Sequence, residues 1–248
     1  MNRIRISDAG RGIFKLTMDD PENSNRLGEE LFHEIIATLS GLSGNDNIKV
    51  LIISGRKDAF CTGGSIDLLR KLATRKIDER ILFSLPNQLI EFPVPIVAEM
   101  EGHAIGSGLI LGLYCEMSVA AEESRYGANF TDLGFTPGMG TTTVLPAAAG
   151  YQFANEMILT AKLYRGKELK ERKLFNYVVP AEDVSVISMD IAKRVAEKPR
   201  HVLKMLKTTM SSPKRLALQS AMSHEQLMLD ACFGYAETTD LIEQNYLK

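Results

Sequence analysis

Two hydrophobic periods alternate along this chain. Residues 4–6 and 13–18 alternate apolar and polar side chains, the period of a half-buried strand, and Gly10-Arg11-Gly12 between them predicts a hairpin. Leu27, Leu31, Ile35, Leu39 and Leu42 recur at helical spacing, and Gly41-Leu42-Ser43-Gly44 supplies a stop, which predicts a helix over 27–42. Residues 50–54, 96–100 and 117–121 are continuous apolar runs, as expected of strands covered on both faces. Helices are predicted over 66–73 and 107–114, each after a glycine-rich turn, then over 183–198 and from His201 onward. Pro199 marks a boundary, giving an α/β core over 1–198 and a helical region over 199–248.

The two glycine-rich turns carry the candidate chemistry. One reads Phe60-Cys61-Thr62-Gly63-Gly64 and the other Gly102-His103-Ala104-Ile105-Gly106-Ser107-Gly108. A turn at a helix entrance leaves backbone N–H groups without partners, and two such turns can jointly hold an oxygen that becomes negative during a reaction. The second turn lacks the Gly-Lys-Ser/Thr ending of a nucleotide-triphosphate loop, and its glycines are wrongly spaced for dinucleotide binding. The bland reading of each turn alone is tight helix–strand packing.

Composition narrows the class. With 45% hydrophobic and 24% charged residues, the 248-residue chain can bury a substantial core. A formal net charge of −2 argues against a general nucleic-acid binder. Cys61, Cys115 and Cys232 are odd in number and widely separated, so neither a zinc site nor a disulfide framework follows, and a reducing cytoplasm is expected. The N-terminal residues read as a strand rather than a signal peptide, and no segment is apolar for long enough to span a membrane.

The ordered motifs resemble the crotonase (enoyl-CoA hydratase/isomerase) superfamily across nearly the whole chain. They are Pro21-Glu22-Asn23 with Leu27, then 60–66, then 101–108, then Tyr126-Gly127 through Gly134-Phe135-Thr136-Pro137-Gly138-Met139-Gly140, then 167–172 followed by Val178-Val179-Pro180. The resemblance implies a spiral of ββα turns with C-terminal helices used for trimerisation, as a homotrimer or a dimer of trimers. It implies that the amides of Gly64 and Ser107 face a thioester carbonyl oxygen, with Gly63 beside it. Ser107 stands where the family usually has glycine.

The resemblance also locates what is missing. The family's hydratases use two glutamates, and this chain has Ile110 and Phe130 at those positions, neither able to exchange a proton. Hydration thereby loses its acid and base, while enolate stabilisation is kept. Asp132 is nearby but out of register, and His103 reads as structural. Decarboxylation needs no base to start, and an apolar pocket with Ile110 and Phe130 would poorly solvate a substrate carboxylate.

Within the superfamily, Tyr126, Asn129-Phe130, the 134–140 run, Tyr164-Arg165-Gly166 and Glu197-Lys198-Pro199-Arg200 are most similar to the decarboxylases of polyketide β-branching cassettes. Those enzymes act without a cofactor on 3-methylglutaconyl groups held by the phosphopantetheine of an acyl carrier protein. The likeness implies a lysine after the first turn, best matched by Lys76, and a C-terminal histidine, for which His224 is six residues before the aligned Asp230. It leaves coenzyme A as the other possible carrier, and an enoyl isomerase or a non-catalytic thioester binder as alternatives. Arg70, Lys71, Arg75 and Lys76 form a basic run that would suit an acidic carrier protein.

Overall fold

The computed structural model describes residues 3–78 and 80–246. It opens on the expected hairpin, β1 (Ile4–Asp8) and β2 (Ile13–Met18), paired antiparallel through a turn with positive φ at Gly10, Arg11 and Gly12. Helix α1 (Glu29–Ser43) then leads to β3 (Val50–Ser54). From there one unit repeats: a strand in a large sheet, a three-residue strand in a small sheet, and a helical segment.

The first unit is β3, β4 (Ala59–Cys61) and α2 (Ile66–Ala73), followed by α3 (Ile81–Glu91). The second is β5 (Ile96–Met100), β6 (His103–Ile105) and α4 (Ser107–Tyr114). The third is β7 (Met117–Ala121), β8 (Arg125–Gly127), a short 3₁₀ turn at Thr131–Leu133, α5 (Thr141–Ala149) and α6 (Tyr151–Thr160). Then come β9 (Tyr164–Arg165), α7 (Gly166–Arg172), β10 (Tyr177–Val179) and α8 (Ala181–Ala196). The large sheet runs β1-β2-β3-β5-β7-β10, and the small one β4-β6-β8-β9. Each turn of the chain therefore moves one strand along in both sheets, the ββα spiral expected from the family resemblance.

Burial explains the apolar runs. Every residue of β3 and β5 is buried. Val50, Ile52 and Val97 face a cluster with Val184, Ile191 and Ala192 of α8, while Leu51, Ile53, Ile96 and Ala98 face the main core. Tyr126 fastens the second sheet to the first: its hydroxyl donates to Met100 O at 2.9 Å and accepts from Ala121 N at 2.8 Å.

Three helices end the chain, α9 (Arg200–Met210), α10 (Ser212–Phe233) and α11 (Ala236–Asn245). Helix α9 starts directly after Pro199. Leu218, Leu229 and Phe233 of α10 and Ile242 of α11 belong to the same core cluster as Phe60 and Leu109 of the spiral. Outward, Met205, Leu206, Met210, Leu216 and Leu227 are more than half exposed. Among the described residues, no helix is long and apolar enough to cross a membrane.

Candidate active site

Strands β4 and β6 run parallel and deliver the two glycine-rich turns to the same place. The approach is closest at Gly108, where a Cβ would lie 1.9 Å from Cys61 O. Gly63 has φ +99° and Gly106 has φ +56° with ψ −124°, conformations open to glycine and costly for other residues. The close-packing reading holds at Gly108, and that contact is what brings the turns together.

The two amides are freed in different ways. Leu27 N donates to Gly63 O at 2.8 Å, and Ser65 N donates to Leu27 O at 3.0 Å, so the Leu27 backbone brackets Gly64. A trans peptide places N–H opposite C=O, so the Gly64 N–H points away from Leu27. Ser107 is the first residue of α4, and its N–H has no intrahelical acceptor. Both residues line one cavity of about 310 Å³, within the usual range for a small-molecule site.

The rest of that cavity is largely apolar. Leu68, Leu69 and Leu72 of α2 form one wall, and Leu229 and Phe233 of α10 another. Phe130, Phe135 and Phe233 make an aromatic run, with ring centroids 6.1 Å and 5.5 Å apart. Asn129 lines it beside Gly106, while Ser24, Arg26, Asn245 and Tyr246 complete the polar part. The Tyr246 hydroxyl donates to Gly64 O at 2.8 Å, and burial raises its pKa. The Arg26 guanidinium sits 4.8 Å from the centre of the Tyr246 ring. Arg26 and Tyr246 also line an outer cleft, which puts them at the rim. Among the described residues, no carboxylate, lysine or histidine lines the cavity. Cys61 is buried and its thiol is pushed up to about 12, so it supplies no thiolate.

Gly63, Gly64, Ser107 and Phe130 thus share one cavity, whereas three residues expected there lie elsewhere. Ile110 is fully buried in the main core and does not reach the lining, because α4 is covered on every side. Lys76 lies beyond the end of α2, exposed, after Arg75 turns the chain with φ +55°. His224 is exposed on α10, its Nδ1 3.0 Å from Ser220 O. The inward ladder of α10 is Leu218, Ala221, Glu225, Leu229 and Phe233, so His224 is about 100° off that face.

The basic run is not a free cationic patch. Arg70 pairs with Glu243, Lys71 with Glu29 and Asp67, and Arg75 with Asp230. Arg26 and Tyr246 escaped the sequence reading. Arg26 lies inside the singled-out 21–27 segment, whereas Tyr246 carries no motif and is brought in by α11.

Comparison with known proteins identifies the family. The sequence model of the Enoyl-CoA hydratase/isomerase family matches residues 8–243. The bacillaene synthase decarboxylase PksI of Bacillus subtilis (strain 168) is 31% identical over 245 residues, spanning 98% of this chain and 97% of that one. The decarboxylase domain of CurF from Lyngbya majuscula superposes with a TM-score of 0.91 at 30% identity, covering 98% of this chain and 99% of that one. A structure from a dehydratase/decarboxylase enzyme couple involved in polyketide β-branching gives 0.94 at 29% identity, covering 99% of this chain and all of that one. With a family match over most of its length and relatives covered from end to end, this chain belongs to the enoyl-CoA hydratase/isomerase family, the crotonase superfamily.

Proposed function

We propose that this protein is a lyase that decarboxylates a 3-methylglutaconyl-type thioester on an acyl carrier protein during polyketide β-branching. The observation that carries the reading is a cavity with two unpartnered amides and no carboxylate among its described lining residues. Adding water to an enoyl thioester needs a general base to activate it, and no carboxylate, lysine or histidine among the described lining residues can serve. Breaking the carbon–carbon bond to a carboxylate on the saturated carbon next to the enoyl double bond needs only a place for the electrons. They pass through the double bond into the thioester carbonyl, carbon dioxide leaves, and the Gly64 and Ser107 amides hold the oxyanion. The returning proton must come from a hydroxyl or from water. The decarboxylase names of PksI and the CurF domain support the reading. No metal, nicotinamide or flavin enters the proposed step, and the cytoplasm suits the three free thiols.

The direct test is mass spectrometry of carrier-bound 3-methylglutaconyl incubated with the protein alone. Loss of carbon dioxide to leave 3-methylcrotonyl is expected. Efficient hydration of a crotonyl thioester, or no mass change with intact substrate binding, would sink the assignment. The second outcome would make the protein a thioester binder.

Arg26 completes the reading. It is the only cationic side chain on the described lining, and no ion pair occupies it, so the substrate carboxylate is paired there. Arg26→Met should raise KM for the 3-methylglutaconyl thioester up to about fivefold, the effect of about 1 kcal/mol for an ion pair at a partly exposed site. Affinity for the neutral 3-methylcrotonyl product should stay unchanged. Equal weakening of both would mean that Arg26 holds the arm's phosphate instead. The same reading assembles the chain as a trimer through the exposed apolar side chains of α9 and α10, with light scattering as the check.

A further inference from the structure

Helix α10 carries two inward-turned charges on one face, a half-buried lysine and a buried glutamate, neither lining the cavity. Lys214 lies near its start, and Glu225 stands about three turns later, which returns it to the same side. The Lys214 ammonium donates to the carbonyls of Leu113, Tyr114 and Cys115 at 3.1, 3.0 and 3.2 Å. Those are the terminal carbonyls of α4, which have no acceptor role within the helix, and the ammonium's three donors match them one to one. The Glu225 carboxylate accepts from Gly140 N, Thr142 N and Thr142 Oγ1 at 2.7, 2.8 and 2.6 Å, at the start of α5. Each charge has the sign that its helix end favours. The Tyr114 hydroxyl joins the two clamps by donating to Met139 O at 2.9 Å, and Met139 and Gly138 line the cavity.

We infer that Lys214 is a positioning residue for the oxyanion hole: it fixes α4 at its C-terminal end so that the Ser107 amide at the other end stays aimed into the cavity. The inference rests on the proposed use of the Ser107 and Gly64 amides. Helix α4 has eight residues and every one is buried, and Gly108 near its start packs against Cys61 of β4. The polar clamp adds a hold at the opposite end. At about 15 Å from the amide, eight residues of helical rise plus the clamp's hydrogen bond, the ammonium also adds positive potential behind the developing oxyanion. With an effective dielectric constant of about 20, that charge accounts for roughly a fivefold effect on rate. Lys207 of α9, which is buried, is differently engaged, with Glu116 Oε1 at 2.6 Å and Leu89 O at 3.0 Å.

The test uses the full chain and the unreactive 3-methylcrotonyl pantetheine, labelled with carbon-13 at its carbonyl and followed by infrared difference spectroscopy. In the wild-type protein the bound carbonyl band should fall to lower frequency than in water. Lys214→Met should keep the analogue's Kd, lose a substantial part of that downshift and lower kcat about fivefold. Lys214→Arg, which keeps a charged donor, should recover most of both. Should the methionine variant fail to fold, Lys214→Gln removes the charge and one of the three donors, and losses of the same sign but smaller size are expected. A normal wild-type downshift left intact in the uncharged variant, with unchanged kcat, overturns the inference. A wild-type band that does not move overturns the oxyanion reading itself, so the two failures are distinguishable.

Discussion

Gly64→Pro should lose about a hundredfold to a thousandfold in turnover while Gly64→Ala stays close to wild type. Gly64 is outside the left-handed region, so its backbone tolerates a side chain. A Cβ there would meet only the flexible end of Leu69, at 3.4 Å from Cδ2. Alanine therefore adds bulk and keeps the N–H, whereas proline removes the N–H. Removing one oxyanion donor typically costs about 3–4 kcal/mol of transition-state stabilisation. The preceding Gly63, already at φ +99°, is also the residue type least disturbed by a following proline. Single-turnover rates on carrier-bound substrate give the ratio, and thermal unfolding checks that both variants fold. A folded proline variant within tenfold of the alanine variant would remove the Gly64 amide from the mechanism.

The parts of the molecule legible from sequence are those set by local pattern. The runs at β3, β5 and β7 announced strands covered on both faces, and burial by α8 on one side and the main core on the other is the physical reason. Gly63, Gly64 and Ser107 were legible because turns before helices need particular backbone geometry. The three-residue strands β4, β6 and β8 are too short to show a period, although they carry the turns. Helix α3 was missed for a similar reason, with Pro86 inside an otherwise helical pattern.

Side-chain direction was the least legible property. His224 and Glu225 are neighbours on one helix, and a rotation of about 100° separates an exposed imidazole from a carboxylate buried against α5. Sequence spacing also could not tell that the charges of Arg70, Lys71 and Arg75 are met by acids on α11, α1, α2 and α10. Reversing them to test carrier docking would break those pairs as well, although exposed pairs of this kind contribute little to stability. Arg26 and Tyr246 come from opposite ends of the chain and meet through closure of the fold, which leaves no local trace.

Gly108→Ala should be among the most damaging single-methyl changes in the molecule, lowering stability by about 3 kcal/mol and activity with it. The added Cβ would lie 1.9 Å from Cys61 O, 2.6 Å from Cys61 C and 2.9 Å from Cys61 Cβ. Two of those three atoms are backbone of β4, so no side-chain rotation relieves the clash. Helix α4 must back away from β4, and the Ser107 amide then moves relative to Gly64. Gly41 in α1 provides the contrast, since a Cβ there meets nothing within 4 Å. Gly41→Ala should stabilise by about 0.5–1 kcal/mol through helix propensity alone. Denaturant melts of the two variants, paired with turnover on the carrier thioester, test the argument. Wild-type stability and rate in Gly108→Ala would mean that the approach of α4 to β4 is not what sets the separation of the two amides. A variant that stays folded but turns over slowly would instead show that this separation matters to catalysis beyond its cost in stability.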